Sequence, residues 1–159
     1  MYQKILVPLD GSELAECVLP HVEEIASGCR VGSIILARAV EPLQLPAALE
    51  YDVYARKDLQ EEWQKAELEE RSAAQDYLDR LANRIRKEGR NVQAQVLVGR
   101  AAESLADYAA KEGVDLIVMA THGRSGIGRW VWGSTADRLL RSSCVPVLMV
   151  RAPGCVPGI

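Results

Sequence analysis

Residues 115–135 read Asp115-Leu116-Ile117-Val118-Met119-Ala120-Thr121-His122-Gly123-Arg124-Ser125-Gly126-Ile127-Gly128-Arg129-Trp130-Val131-Trp132-Gly133-Ser134-Thr135. The run to Ala120 is the most hydrophobic in the chain and suits a central strand buried on both faces. A glycine-rich loop follows it. Ser134–Ser142 then predicts a helix, and Val145–Val150 a final strand.

Working outward, the same alternation of strand and helix fills the chain. Ile5-Leu6-Val7-Pro8-Leu9 predicts the first strand. A helix capped by Ser12 carries Leu14, Val18, Val22 and Ile25 at helical spacing, with Pro20 kinking or splitting it and Gly28 ending it. Ser33–Arg38 is the second strand, and a Pro-bearing stretch from Glu41 to Ala48 leaves the sheet. From about Asp58 to Glu88 a long helix lines Leu59, Trp63, Ala66, Ala74, Tyr77, Leu81 and Ile85 along one face. Gly89 stops it. Val92–Val98 predicts the third strand, and Ala102–Glu112 a helix ended by Gly113.

The order β-α-β-α-β-α-β-α-β implies an α/β fold: an open five-stranded parallel sheet, Rossmann-like, with helices on both faces. Two strand orders are common, 2-1-3-4-5 and 3-2-1-4-5. Asp10-Gly11-Ser12 follows strand one, and the glycine-rich loop follows strand four. Ligands of open parallel sheets bind beyond the strand C-termini where the winding reverses, and only 3-2-1-4-5 puts these two loops on one crevice there. The sequence therefore favours 3-2-1-4-5.

Composition bounds the partners. The 159 residues are 48% hydrophobic and 26% charged, the balance of a folded soluble domain. One domain over 1–151 and a loose Pro/Gly tail over 152–159 account for the length. No apolar run is long enough for a membrane span, and Pro8 and Asp10 arrive too early for a signal peptide. A cytoplasmic location is the expectation. The net charge of −3 argues against nucleic acid and anionic membrane as partners. Its distribution is uneven. Between Ala120 and Ser142, Arg124, Arg129, Arg138 and Arg141 stand against Asp137 alone, a local +3 that leaves −6 for the rest. An anion would bind in that segment. Cys17, Cys29, Cys144 and Cys155 form no Cys-x-x-Cys pair, and His21 and His122 are the only histidines. Incidental cytosolic thiols are expected rather than a zinc site, with Cys155 exposed in the tail.

Glycines allow close backbone approach, and a helix N-terminus offers unpaired donors and partial positive charge. Gly133 before Ser134 would let phosphate oxygens reach Ser134 and Thr135, with Arg124 or Arg129 nearby. Asp10 suits a ribose hydroxyl, an adenine amino group or, less directly, Mg²⁺. Plainer readings exist for the same residues. Ser134-x-x-Asp137 is also a capping box, and Asp10-Gly11-Ser12 is also a turn with a helix cap. His122, Trp130 and Trp132 read first as packing residues of the loop.

Lys4-Ile5-Leu6-Val7-Pro8-Leu9-Asp10-Gly11-Ser12, then Met119-Ala120-Thr121-His122-Gly123, nine residues, Gly133-Ser134, and the closing Val145-Pro146-Val147-Leu148-Met149-Val150 resemble the universal stress protein family over residues 1–151. The family's nucleotide-binding branch carries G-x2-G-x9-G-S/T. Here Gly123, the nine-residue spacing and Gly133-Ser134 match, and Ala120 replaces the first glycine. The resemblance implies a 3-2-1-4-5 sheet, a homodimer and an adenine nucleotide across strands one and four, with ATP foremost and ADP, AMP or cAMP as alternatives. It implies Pro8, Leu9 and Asp10 beside the adenosine, Ala39 and Val40 against the base, and Met119 and Ala120 beneath it. Gly123, Arg124, Gly133, Ser134 and Thr135 would hold the phosphates, with Mg²⁺ arriving on the nucleotide near Asp10.

The last strand carries its own argument. An apolar strand at the chain's end, with Pro146 tolerable only at an edge or a strand start, invites pairing with a second copy. Antiparallel pairing about a twofold axis would close a homodimer. Three functions follow: a nucleotide-binding stress-response regulator that engages an unknown protein partner, a slow ATPase or phosphoryl-transfer enzyme, or a nucleotide-independent interaction module. The first is preferred. The chain has no GxxxxGK[ST] loop and no clear base to position water, and it assigns no catalytic residue.

Overall fold

The computed structural model describes residues 2–42, 53–87, 89–121 and 134–151, with the backbone alone at 53–58 and 134. Its strands are β1 (Lys4–Pro8), β2 (Ser33–Val40), β3 (Val92–Val98), β4 (Leu116–Thr121) and β5 (Val147–Arg151). They form one sheet in the order β3-β2-β1-β4-β5, with every pairing parallel. The helices are α1 (Glu13–Glu16), α2 (Leu19–Cys29), α3 (Val53–Arg86), α4 (Ala101–Lys111) and α5 (Ser134–Ser142). The expected 3-2-1-4-5 sheet is the one observed.

The central strands read as unbroken apolar runs because both faces are covered. On one face Ile5, Val7, Ile34, Leu36, Leu116 and Val118 pack against α1, α2 and α3 through Ala15, Val18, Val22, Leu78 and Ile85. On the other, Leu6, Ile35, Ala37, Ile117 and Met119 pack against Leu105 and Ala109 of α4 and Leu139 of α5. Each fully buried Leu or Ile contributes about 1.5–3 kcal/mol through area removed from water. Among the described residues no charged or polar residue is buried, and no helix is long and apolar enough to cross a membrane.

Of the two outcomes expected at Pro20, a kink or a split, the structure has the split, and two other boundaries differ from the sequence reading, each for a local reason. α1 ends at Glu16, and Pro20 occupies the first turn of α2, where its missing N–H costs nothing. Gly28 does not end α2. The helix continues to Cys29 and closes on Arg30, which takes the left-handed conformation at φ 53°, while Val31 N–H donates to the Ala26 carbonyl at 3.0 Å. The last strand begins at Val147, yet Pro146 still takes part through its carbonyl, which accepts from Ile117 N–H at 2.9 Å.

α3 starts earlier than its periodicity predicts, and the expected apolar face is only partly used. Ala74, Leu78, Leu81, Ala82 and Ile85 are buried, whereas Ala66 and Leu68 are exposed. The cause is length. The 34 residues of α3 extend about 50 Å, while the seven of β3 span about 23 Å. Only the C-terminal half of the helix has sheet beneath it. The expected loop at 43–48, the glycine-rich loop and the tail at 152–159 lie outside the described residues.

The ladders explain where a ligand site can open. β1 pairs with β2 from Lys4↔Ser33 through Pro8↔Ala37, and β4 pairs with β5 from Ile117↔Val147 through Thr121↔Arg151. Between β1 and β4 the register holds only Ile5↔Leu116 and Leu6↔Ile117. Pro8 has no N–H to donate, and the two strands part beyond Leu6↔Ile117. This parting lies at the reversal of winding, since β2 and β3 go to one side of β1 and β4 and β5 to the other.

Candidate functional site

Above the short β1–β4 ladder lies a cavity of about 270 Å³. β1 and its turn supply Pro8, Leu9 and Asp10, β2 supplies Ala37 and Ala39, and β4 supplies Met119, Ala120 and Thr121. Helix first turns close the rest: Leu14 and Ala15 of α1, Ala101 of α4, and Thr135 and Ala136 of α5, with Leu105 one turn deeper in α4. The floor is apolar and built from small side chains. The polar groups, Asp10, Thr121 and Thr135, stand around it, the arrangement of a small-molecule site.

The turn that carries Asp10 is built locally. Asp10 Oδ1 accepts from the Ser12 N–H at 2.9 Å and from the Ser12 hydroxyl at 2.6 Å. Ser12 Oγ in turn accepts from Ala15 N–H at 3.1 Å and caps α1. Both plainer readings of Asp10-Gly11-Ser12, a turn and a cap, are therefore realised, and Asp10 still borders the cavity. Gly11 sits at φ 91°, which suits glycine.

Ser134 opens α5. The Asp137 carboxylate accepts from Arg141 Nε at 3.0 Å, so the acidic partner of the expected capping box is engaged one turn along the helix. Arg138 lies 3.5 Å from Glu103, which also lies 3.7 Å from Arg100. Two of the four arginines in the basic segment thus have acidic neighbours. Arg124 and Arg129 lie outside the described residues, as do His122, Trp130 and Trp132. Among the described residues no group of three His, Cys, Asp or Glu could hold a metal ion. Mg²⁺ at Asp10 would need its remaining oxygen ligands from water and a bound phosphate.

The sequence matches the Universal stress protein family over residues 1–151. The chain belongs to this family. Among its relatives in the universal stress protein family is MJ0577 of Methanocaldococcus jannaschii, 26% identical over 159 residues, 95% of this chain and 96% of that protein. The solved structure of MJ0577 superposes with a TM-score of 0.76 at 25% identity, covering 97% of this chain and 99% of that one. A universal stress protein in complex with cAMP has the same fold, with a TM-score of 0.63 at 22% identity, covering 95% and 98%. So does the Arabidopsis thaliana family protein with AMP bound, with a TM-score of 0.61 at 13% identity, covering 96% and 93%.

In this universal stress protein the fold brings Pro8, Leu9, Asp10, Ala39, Met119, Ala120 and Thr135 onto one cavity. Val40 is buried and is not among the lining residues; strand alternation turns it to the face opposite Ala39. Ser134 adjoins Thr135 at the start of α5, and Gly123, Arg124 and Gly133 lie outside the described residues. Sequence reading passed over Ala37, Ala101, Leu105 and Thr121 among the lining residues. The small residues Ala37 and Ala39 at alternate positions were a usable signal. Nothing local announces that α4 begins beside the crevice.

The three described cysteines are free thiols, with Cys17 and Cys29 half-buried and Cys144 exposed. Partial burial pushes the Cys17 thiol up. Cys155 lies outside the described residues.

Proposed function

We propose that this universal stress protein binds an adenine nucleotide, with ATP as the first candidate, in the crevice between β1 and β4. The carrying observation is the cavity itself. It lies at the reversal of winding, with an apolar floor of Ala39, Met119 and Ala120 for a base and Asp10 at its wall. Asp10 is an acceptor suited to a ribose hydroxyl or an amino group. Thr135 in the first turn of α5 faces the same space, where a helix N-terminus favours phosphate. Gly123, Arg124, Gly133 and Ser134 would complete the phosphate contacts, and Mg²⁺ would travel with the phosphates. The relatives solved with cAMP and AMP support the adenine class.

The reading extends to a homodimer joined along β5, with ligand occupancy altering which cytoplasmic protein partner it engages. Support comes from the edge position of β5 and from Leu148, which is 40% exposed there.

The test is to denature purified protein and separate the released small molecules by ion exchange. ATP, ADP or AMP in the eluate is the expected result. Protein that releases none should still be stabilised by added ATP, by about 2.7 kcal/mol at a hundredfold excess over Kd. No release together with an unchanged melting temperature overturns the proposal. Phosphate release faster than about one per minute would favour the slow-ATPase reading, at a rate still below the typical turnover of 1–10³ s⁻¹.

A further inference from the structure

Arg38 leaves β2 on the face opposite Ala37 and Ala39 and reaches over the end of β1. Its guanidinium carbon stands 5.8 Å from the centroid of the Tyr77 ring, within range of a cation–π contact. A Cβ built on Gly11 would lie 3.0 Å from Arg38 Nη1 and 3.4 Å from Cζ. The guanidinium is therefore laid against bare backbone in the turn that carries Asp10. The absence of a side chain at Gly11 is what admits it.

Tyr77 is itself held in place. Its hydroxyl donates to Glu16 Oε1 at 3.1 Å, tying α3 to α1. Burial, and then the adjacent Glu16 carboxylate, push the phenol far above its ordinary value, so it remains a donor throughout the neutral range. The charges of Asp10 and Arg38 both act on the ring hydroxyl. Asp10, Gly11, Glu16, Arg38 and Tyr77 thus form one cluster drawn from the β1 turn, α1, β2 and α3.

We infer that Arg38, laid on Tyr77, is a positioning residue that holds the Asp10–Gly11–Ser12 turn where it presents Asp10 to the crevice. The bonds between Asp10 and Ser12 fix the shape within the turn. Arg38 fixes where that shape sits, because it bridges from β2 and α3 to the Gly11 backbone. A guanidinium spreads its charge over a planar fork that can reach the ring and the turn at once, whereas a lysine ammonium is a compact point charge. The role in ligand binding rests on the adenine-nucleotide reading; the role in holding the turn does not.

The experiment compares Arg38→Ala, Arg38→Lys, Tyr77→Phe and Tyr77→Leu. Amide hydrogen exchange at Ser12 and Ala15 is read without ligand, and ATP affinity is read by calorimetry. Tyr77→Phe keeps the ring but loses the bond to Glu16, and should fall between wild type and Tyr77→Leu in both readings. Arg38→Ala and Tyr77→Leu should speed exchange at these amides and weaken ATP binding by about three- to tenfold each. Arg38→Lys should not rescue. Unchanged exchange at Ser12 and Ala15 in Arg38→Ala overturns the inference. So does faster exchange spread equally through the β1 and β4 cores, which would mark a general loss of stability. If wild-type protein binds no ATP, the nucleotide reading fails and the exchange data alone decide the role of Arg38.

Discussion

The Asp115 carboxylate sits 2.8 Å from the backbone nitrogen of Lys4, on a residue 111 positions away in the chain, and its Oδ2 also accepts from Gln3 N–H at 2.7 Å. Asp115 N–H donates back to the Lys4 carbonyl at 2.9 Å. One side chain thus ties the start of β1 to the start of β4, at the end of the two strands opposite the crevice.

Those two backbone N–H groups hold the Asp115 carboxyl below its ordinary value. A carboxyl depressed on folding adds stability above its unfolded value, near pH 4, and loses it as pH falls through the folded value. Asp115→Asn should therefore lower the melting temperature at pH 7 and flatten the fall in stability below pH 4. Thermal melts of both proteins from pH 7 to pH 2.5 test this. Parallel curves for the two proteins would refute it.

Gly28 lies inside α2, and a Cβ there would meet nothing within 4 Å. Gly28→Ala should stabilise the protein by about 0.5–1 kcal/mol, the cost of glycine in a helix interior. Arg30 holds the left-handed position that glycine normally fills, so Arg30→Gly should add a gain of about 1 kcal/mol. Urea titrations of the two single variants and the double variant measure both.

Filling the crevice should abolish ligand binding while sparing the fold. Ala39 is half-buried at the end of β2 and lines the cavity. Ala39→Phe is expected to weaken ATP binding by at least about tenfold, a loss of about 1.4 kcal/mol, because the ring would occupy the space proposed for the base. The far-ultraviolet spectrum should not change. Undiminished affinity would place the ligand elsewhere.

At the β5 edge a charge should block strand pairing. Leu148→Lys is expected to shift the molar mass by light scattering from dimer to monomer at tens of micromolar. A wild-type protein that is already monomeric at that concentration would refute the β5 dimer.

The strand and helix pattern was legible because both signals are local. Continuous apolar runs such as Ile5–Val7 and Leu116–Met119 mark strands covered on two faces, and 3.6-residue spacing marks helices. Legibility failed where the neighbour decides. Leu59, Trp63 and Ala66 carry the same periodicity as Leu81 and Ile85, yet only Leu81 and Ile85 are buried in the core against the sheet. Val40 and Ala39 are adjacent in sequence, but the pleat sends them to opposite faces.

The sequence by itself determined the five parallel strands, their order, and the meeting of the Asp10 turn and the C-terminal end of β4 at one crevice. Winding rules and right-handed crossovers leave two common orders once the elements are known, and the position of the loops chooses between them. The tertiary structure alone decided how the crevice is built: that β1 and β4 part after Leu6↔Ile117, that α4 lends Ala101 and Leu105, and that Arg38 lies between Tyr77 and Gly11. These contacts join residues tens of positions apart. No periodicity or motif encodes such distances, which exist only once both faces of the sheet have been packed.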